Sequence, residues 1–386
     1  MNKTVSIDFQ YPQSGYAIEI GRDLLAASGE WAKRCVGGRA GKVALVSNAK
    51  VFGLYGEALK RGMEDADFDV FVCLIGDGEK FKSFRTLQKT LDIFSENRLS
   101  RTDAVVALGG GVVGDLAGFA ASIYLRGVSF LQMPTTLLSM IDSSVGGKTG
   151  VNSSFGKNLI GAFYQPKGVL VDIRTLQTLP KRELTAGFCE AIKQGAVASR
   201  ELFDQTAGFL DIYSPKSFAR SFDNDDFIDG LVSLLSEQIA FKAKIVANDE
   251  RESPDKMDAG SRKILNFGHT FAHALEKVTN YRYLKHGEAV GYGIRFAAEL
   301  SKKLGLLAPN EVNLLNDVVH RAGTFPPIDN IDPRIIFETL KYDKKLINNS
   351  LQWILLEGVG KPVIFPNADV PQSALMSAFK EITRNQ

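Results

Sequence analysis

Three of the chain's four histidines, His269, His273 and His286, fall within eighteen residues. His269 and His273 are four residues apart on a predicted helix, so their side chains share one face. This spacing is typical of a two-histidine metal site. His286 opens the next predicted helix, and a helix–loop–helix pair can return it to His269. A zinc protease would need glutamate at position 270, where Thr270 stands, so that class is disfavoured.

Glu190 is a candidate for a further metal ligand. It stands in an otherwise apolar stretch, where an unpaired carboxylate would be costly. Catalytic zinc commonly has three protein ligands and one exchangeable position. Spacing alone favours a metal centre and a set of buried structural histidines about equally, and it does not say which histidine is not a ligand. His320, on a late amphipathic helix, is predicted to be structural or solvated.

A glycine-rich turn at 109–115, Gly-Gly-Gly-Val-Val-Gly-Asp, follows the apolar run 104–108 and opens a predicted helix. Glycines at such a turn let backbone N–H groups approach a phosphate, and the helix N-terminus adds positive potential. The GxGxxG spacing is only loosely met. The strand before the turn and the helix after it nevertheless favour nucleotide binding over a plain tight turn.

The stretch at 142–150 resembles a phosphate-binding loop only in part. Its Gly-Lys-Thr ending at 147–149 fits, but Asp142 stands where the first glycine is required. A carboxylate there would repel phosphates, so an NTPase loop is rejected. Lys148 and Lys157, both flanked by glycine-rich sequence, indicate an anion site instead.

The first half of the chain alternates short apolar runs with helical patterns. This alternation predicts a mostly parallel sheet with helices on both faces, in which ligands bind at the carboxyl ends of the strands. Ser83 is a plausible N-cap for the predicted helix over 83–95. The predicted strands are 43–46, 70–75, 104–108, 130–133 and 169–171, and the helices between them include 83–95 and 115–124.

The second half changes to long helical patterns, with one late hairpin around the glycines at 358–360. We therefore predict an α/β protein with an N-terminal Rossmann-like, mostly parallel sheet domain (1–178) and a C-terminal helix-rich domain (179–386). The predicted helices are 183–198, 226–247, 262–278, 288–304, 310–321 and 335–340, and the hairpin strands are 352–357 and 361–365.

Composition excludes several classes of protein. The 386 residues are 45% apolar and 23% charged, and the formal net charge is only +2, with no basic stripe for nucleic acid. Three scattered cysteines suit a reducing compartment. Neither a signal peptide nor a membrane span is expected, because no apolar run is long enough. We expect a soluble, cytoplasmic enzyme.

Several motifs in order along the chain resemble the 3-dehydroquinate synthase family, whose relatives include metal-dependent polyol dehydrogenases. Many motifs in one order are far more specific than any single one. The sequence departs from the family by extra residues within 253–261, which puts the position of Glu252 in doubt. The motifs lie at 109–115, 134–152, 156–166, 187–195, 242–252, 262–273, 286–290 and 343–345.

The resemblance implies two cofactors, NAD and a zinc or cobalt ion. Glu190, His269 and His286 would hold the metal. The residues implied for NAD are Asn48, Asp77, Glu79, Lys82, Gly110, Gly111, Val112, Gly114, Asp115, Thr135, Thr136, Lys157, Thr175, Leu176 and Thr178.

The resemblance also implies catalytic and substrate-binding residues and a homodimer. Arg126 would reach the substrate phosphate in the neighbouring subunit, Glu252 is linked to proton transfer, and one of Lys344 and Lys345 would join the substrate site. The remaining catalytic residues would be Lys148, Lys193, Lys242, Arg262, Asn266 and His273, with Asp142 and Asn158 as further substrate contacts.

The implied substrate is the sugar-acid phosphate 3-deoxy-D-arabino-heptulosonate 7-phosphate, whose charges the lysines and arginines would complement. Its conversion would proceed by transient oxidation by NAD, phosphate elimination, reduction, ring opening and an intramolecular aldol step. Three alternatives stay open. They are a cyclase that makes an inosose or valiolone, a metal-dependent polyol dehydrogenase, and a non-catalytic metabolite- or nucleotide-binding protein.

Overall fold

A computed structural model describes residues 15–38, 40–346 and 352–384. None of the described helices is long and apolar enough to cross a membrane. The strands are β1 (Ala17–Gly21), β2 (Lys42–Asn48), β3 (Asp69–Ile75), β4 (Ala104–Gly109), β5 (Ser129–Pro134), β6 (Lys148–Ser153), β7 (Gly156–Phe163), β8 (Gly168–Asp172), β9 (Gln352–Gly358) and β10 (Lys361–Pro366).

Helices separate the early strands and make up most of the second half. Their bounds are α1 (Ser28–Val36), α2 (Ala49–Val51), α3 (Glu57–Glu64), α4 (Phe84–Glu96), α5 (Gly111–Ile123), α6 (Lys181–Ala198), α7 (Arg200–Ile212), α8 (Asp225–Asn248), α9 (His269–Val278), α10 (His286–Lys303), α11 (Pro309–Arg321), α12 (Pro333–Leu346) and α13 (Gln372–Arg384).

Six strands form one parallel sheet in the order β1-β8-β5-β4-β2-β3. All five predicted strands belong to it. The sequence prediction omits β1, which lies at the sheet edge and is nowhere fully buried. From β2 the chain adds β3 on one side and then β4 on the other, so the topological switch point lies between β2 and β4.

The sheet is buried on both faces, and its strands alternate between two cores. Val43 and Leu45 face the core built with α1 and α3, whereas Ala44 and Val46 face the core built with α4 and α5. Continuous apolar runs are therefore required in these strands, because neither face meets water. The predicted N-cap of α4 is confirmed, since Ser83 Oγ accepts from the backbone N–H of Thr86.

Helices α6 and α10 form the centre of the second half. Most of α10 is buried, and a stacked pair of rings, Phe271 and Phe296, joins it to α9 with centroids 4.2 Å apart. The β9–β10 hairpin is confirmed, whereas the antiparallel β6–β7 hairpin, α7 and α13 were not predicted. The sequence of β6, Lys-Thr-Gly-Val-Asn-Ser, has too few apolar residues to indicate a strand.

The prediction of one continuous helix over 262–278 is wrong. A 3₁₀ turn, Arg262–Asn266, is followed by Gly268 in the left-handed region at φ 77°, and α9 starts at His269. Gly268 lies against the backbone of α10, where a Cβ would stand 2.7 Å from the N of Ile294 and 2.8 Å from the C of Gly293. The break places His269 in the first turn of α9.

We predict that Gly268→Ala lowers the free energy of unfolding by about 2 kcal/mol or more. Alanine is strained in the left-handed conformation of this position, and its Cβ would also clash with the backbone of α10. Gly208→Ala is the matched control. Gly208 is exposed in α7, and a Cβ added there would meet no packed neighbour within 4 Å, so alanine should stabilise the protein by about 0.5–1 kcal/mol. Urea unfolding measures both changes. Equal effects at the two positions would contradict the packing described for Gly268.

Candidate active site

Most residues expected to bind the nucleotide lie at one edge of the sheet, where parallel strands end. They follow β2 (Asn48), β3 (Asp77, Glu79, Lys82), β4 (Gly110, Gly111, Val112, Gly114, Asp115), β5 (Thr135, Thr136) and β8 (Thr175, Leu176, Thr178). Ser47 Oγ donates to the Leu108 carbonyl at 2.8 Å and ties the ends of β2 and β4 together at the switch point. This is the crevice in which open α/β sheets bind their ligands.

The glycine turn packs closely against its neighbours. A Cβ on Gly110 would come within 3.1 Å of Thr136 Cγ2, and one on Gly111 within 3.1 Å of Ser143 Oγ. Gly110 is the N-cap of α5 and offers no side-chain hydrogen bond to the first turn. The leading N–H groups of α5 are thus of the kind that can bind a pyrophosphate.

A polar network joins this edge to the β6–β7 hairpin. The ammonium of Lys82, 4% exposed, contacts both the Asp115 carboxylate and Asn158 Oδ1. Asn152 donates to Glu79 Oε1 at 2.7 Å and accepts from the Asn158 backbone N–H at 2.9 Å. Burial raises the pKa of Asp115 even beside Lys82. Residues expected to contact NAD are therefore tied to one expected to contact substrate.

Three side chains from three helices, Glu190, His269 and His286, point their donor atoms at one another. Glu190 Oε1 lies 3.7 Å from His269 Nε2 and 3.4 Å from His286 Nε2. Ligands about 2.1 Å from a tetrahedral zinc ion lie roughly 3.4 Å from one another. The observed separations match that spacing.

The other ring nitrogen of each histidine is already engaged. His269 Nδ1 lies 3.3 Å from the Phe267 carbonyl, and His286 Nδ1 lies 3.0 Å from Glu276 Oε2. Such partners fix the ring so that Nε2 is presented to a metal. Burial, reinforced by Lys193, lowers the pKa of His269 to about 3 and keeps that ring in the neutral, metal-binding form.

Glu190 is fully buried. Its Oε2 lies 2.6 Å from Lys193 Nζ, but neither carboxylate oxygen accepts a hydrogen bond of good geometry from the described residues. Burial alone would raise its pKa, yet Lys193 and His269 hold it well below the usual range. A buried, charged carboxylate facing two imidazole nitrogens is a donor set suited to a divalent cation.

His273 lies one turn after His269 on α9 and is exposed toward the same space. Its ring centroid is 5.3 Å from that of His269 and 6.0 Å from that of His286. His273, Glu276 and His286 form a second group of close donor atoms. The first group is better suited to a metal, because Lys157 and His286 Nδ1 already occupy the two carboxylate oxygens of Glu276.

Two buried lysines each contact a carboxylate, Lys193 that of Glu190 and Lys242 that of Asp142. Lys193 is 1% exposed, and Lys242, 6% exposed, contacts both the carboxylate and the carbonyl of Asp142. Burial raises the pKa of Asp142, but Lys242 and Lys193 overcome that effect and lower it to about 2. Burial also lowers the pKa of Lys242. The site can therefore bind an anion through ammonium groups shielded from water.

Arg262 adds a third buried cation. Its Nη1 donates to the Gly146 carbonyl at 3.1 Å and to the Glu250 carbonyl at 2.7 Å, while its Nε is buried without a partner among the described residues. At the adjoining mouth, Lys148 forms an ion pair with Glu252. The guanidinium thus keeps one unused donor, its buried Nε.

The extra residues at 253–261 bulge away and leave both ends in place. The Asp249 carboxylate accepts from the Ser253 N–H at 2.7 Å and from the Arg262 N–H at 2.9 Å, which closes the loop at its base. Glu252 takes a left-handed conformation at φ 54° and reaches Lys148. The insertion does not move Glu252 away from the other expected site residues.

Four residues expected in the site, Asn266, Arg126, Lys344 and Lys345, have no described contact with the metal group or with the buried lysines. Asn266 ends the 3₁₀ turn two residues before Gly268 and is half-buried. Lys344 and Lys345 lie in the last turn of α12, and their side chains are outside the described part of the structure. Arg126 is exposed beyond the C-terminal end of α5, whereas the site lies at the N-terminal end.

Two positioning elements were missed in the sequence. Arg182 on α6 grips Glu288 through two 2.6 Å contacts, and Gly287 lies so close to α6 that a Cβ would stand 2.0 Å from the Ala186 carbonyl. This fixes the start of α10, and with it His286, against the helix that carries Glu190. Glu276, the second, follows His269 by seven residues and His273 by three, a helical spacing that could have drawn attention to it.

Comparisons with known proteins identify the family of the chain. A sequence profile described as 3-dehydroquinate synthase N-terminal matches residues 72–186, and one described as 3-dehydroquinate synthase C-terminal matches residues 187–346. The chain belongs to the 3-dehydroquinate synthase family. A 3-dehydroquinate synthase from Synechococcus sp. is 41% identical over 382 residues, covering 98% of this chain and 99% of that protein.

Two solved structures extend the likeness to the fold. A 2-epi-5-epi-valiolone synthase from Streptomyces hygroscopicus subsp. jinggangensis, with NAD⁺ and Zn²⁺ bound, has a TM-score of 0.83 and 26% identity, covering 100% of both chains. A 2-deoxy-scyllo-inosose synthase in complex with carbaglucose-6-phosphate, NAD⁺ and Co²⁺ has a TM-score of 0.73 and 27% identity, covering 94% of this chain and 96% of the other. The predicted fold class and family are confirmed.

We predict that His269→Ala lowers the affinity for zinc more than ~100-fold, because the loss of a ligand should exceed the 10–100-fold typical of losing a ligand's hydrogen-bond partner. His320→Ala, on the exposed side of α11, is the matched control and should bind zinc normally. Metal content after dialysis against a weak chelator measures both. Unchanged zinc in His269→Ala would refute the ligand assignment.

Proposed function

We propose that this site converts 3-deoxy-D-arabino-heptulosonate 7-phosphate into 3-dehydroquinate and phosphate, as a phosphate-eliminating carbon–oxygen lyase of the shikimate pathway. The observation that carries the proposal is the juxtaposition of Glu190, His269 and His286 with buried Lys193 and Lys242. The curated relative at 41% identity has this activity in its name, whereas the cyclases that form other rings are 26–27% identical.

The cofactors are NAD and a zinc or cobalt ion, as in the two structural neighbours. Glu190, His269 and His286 hold the metal, and the edge of the sheet between Asn48 and the glycine turn at Gly110 holds the nucleotide. When bound, the metal polarises the substrate hydroxyl and carbonyl as a Lewis acid, and the nicotinamide accepts and returns a hydride.

The chain's own cations bind and orient the substrate. A carboxylate and a phosphate both require charge-assisted hydrogen bonds, which Lys193, Lys242 and Arg262 supply from a dry environment. Asp142 fixes the Lys242 ammonium. Holding both anionic ends of a flexible chain brings its reacting carbons together, which is the main requirement for ring closure.

Proton movements fall to the groups at the rim. His273 is exposed beside the two histidine ligands, and an imidazole is suited to accept and return a proton at a ring nitrogen near neutral pH. Glu252 forms an ion pair with Lys148. The substrate phosphate can act as the base for its own elimination.

The buried cations also argue against a polyol dehydrogenase, whose uncharged substrates do not need them. Three desolvated positive groups impose a large electrostatic cost unless an anion or carboxylate balances them. Glu190 pairs with Lys193 and Asp142 with Lys242, which leaves Arg262 as the buried cation without a carboxylate ion pair among the described residues.

The proposed function predicts stoichiometric phosphate release from the heptulosonate phosphate with catalytic NAD and zinc, and no accumulation of NADH. The same NAD is reduced and reoxidised in each turnover, so NADH absorbance should stay flat while phosphate appears. A phosphate assay read alongside NADH absorbance tests this, with His269→Ala as the inactive control.

Accumulating NADH would instead show a dehydrogenase. Phosphate release only from sugar phosphates that lack the carboxylate would show a cyclase for another ring.

We also infer a homodimer in which Arg126 completes the partner's site. Helix α5 spans 13 residues, so its two ends are roughly 18 Å apart, and Arg126 lies beyond the end remote from the site. Ile123 and Leu125, next to Arg126 at this helix end, are 43% and 41% exposed. Exposed apolar side chains beside an exposed arginine are typical of an interface.

A heterodimer of Arg126→Ala and His269→Ala subunits, purified by two tags, distinguishes a role across the interface from a role within one subunit. If Arg126 acts across the interface, one of the two sites is intact, and about half of the wild-type activity should return. If Arg126 serves its own subunit, each site carries one defect and activity stays near that of the separate variants. The two parent homodimers are the controls.

The division into an NAD-binding domain (1–178) and a metal- and substrate-binding domain (179–386) remains a prediction. It is supported by the start of α6 at Lys181, directly after Pro180. A cytoplasmic location is likewise a proposal, supported by the three free cysteines Cys35, Cys73 and Cys189.

A further inference from the structure

Glu276 is a buried carboxylate that the expected reaction does not use. It lies on α9, its side chain is 3% exposed, and its two oxygens contact different cations or hydrogen-bond donors. Oε2 lies 3.0 Å from His286 Nδ1, and Oε1 lies 2.9 Å from Lys157 Nζ. One side chain thus joins a histidine on α10 to a lysine on β7.

Lys157 belongs to the first half of the chain, where the β6–β7 hairpin is tied to the nucleotide edge. Its ammonium also lies over the Tyr281 ring, 4.4 Å from the centroid, in the segment between α9 and α10. The carboxylate and the aromatic ring together hold this cation on the second half of the chain. The hairpin and the metal group therefore meet at Glu276.

We propose that Glu276 is the positioning residue that holds His286 Nε2 toward the metal, and that Lys157 keeps Glu276 in place from the hairpin. This inference rests on the metal site proposed above. The carboxylate accepts the Nδ1 proton, so the ring must present Nε2 on its other side, where Glu190 Oε1 lies 3.4 Å away. Among the described residues, Glu276 is the hydrogen-bond partner given for His286 Nδ1.

The test measures metal binding alone, without NAD or substrate. Co²⁺ affinity is determined by competition with a chelator, and the visible absorption of Co²⁺ reports its ligand geometry. Glu276→Gln removes the negative charge with little change in shape, so Co²⁺ affinity should fall about 10–100-fold and the spectrum should change. Glu276→Asp, which keeps the charge, should recover part of the loss.

Glu299→Gln is the matched control. Glu299 is also a buried glutamate, 4% exposed and paired with Lys302 on the helix that carries His286. It lies 13 residues further along α10, about 20 Å from His286, so Co²⁺ affinity and spectrum should stay as in the wild type. A general loss of stability from removing a buried charge would affect both variants, whereas a positioning role affects only Glu276→Gln.

Lys157→Met provides the second arm, because it removes the ammonium from a partly exposed strand position and leaves the helices intact. We expect a smaller loss of Co²⁺ affinity, about 3–10-fold, with a spectral shift in the same direction as that of Glu276→Gln. If Glu276→Gln does not fold, the Co²⁺ affinity and spectrum of Lys157→Met alone test the inference. Wild-type affinity and spectrum in the variants that fold would overturn the inference.

The result separates this inference from the proposed metal site itself. If the wild type binds Co²⁺, His269→Ala does not, and Glu276→Gln binds normally, only the role of Glu276 is rejected. If His269→Ala binds Co²⁺ as tightly as the wild type, the metal assignment is wrong. The proposed role of Glu276, which depends on that assignment, is then rejected as well.

Discussion

The whole site depends on one buried negative charge, the carboxylate of Glu190. It is fully removed from solvent, yet neighbouring positive groups keep it ionised. A charge in that position is tolerated only where cations surround it, and Lys193 supplies one of them. The two histidine nitrogens complete a donor set from α6, α9 and α10, so the helical half must pack correctly before the set exists at all.

The second half of the molecule is built to keep those three helices in register. Glycines at the contacts let backbones touch, as Gly268 does against α10 and Gly287 against α6. The Arg182–Glu288 pair then locks the first turn of α10. The first half of the chain reaches the same point through the β6–β7 hairpin, where Lys157 contacts Glu276.

Much of the sheet and part of the metal site could be predicted from the sequence, because they depend on local sequence patterns. Strands β2, β4 and β5 read as continuous apolar runs since the sheet is covered on both faces, and the histidine spacing indicated one helix face. The break before His269 was missed because only the tertiary contact of Gly268 with α10 demands it. Glu276 was missed for a similar reason. Its spacing from His269 and His273 marks its helix face, but its partner Lys157 is 119 residues away in the sequence, so the contact itself could not be predicted.

The contact between Gly287 and the backbone of Ala186 has a consequence for ion selectivity. Because the two main chains already touch, α6 and α10 cannot approach further, and the Arg182–Glu288 pair resists their separation. The main-chain positions of Glu190 and His286 are thus fixed relative to each other, and side chains such as Glu276 orient the donor atoms. Calcium, which needs six to eight oxygen ligands at about 2.3–2.6 Å in a flexible shell, is poorly served by such a frame. We therefore expect this packing to favour small ions that accept nitrogen ligands over calcium.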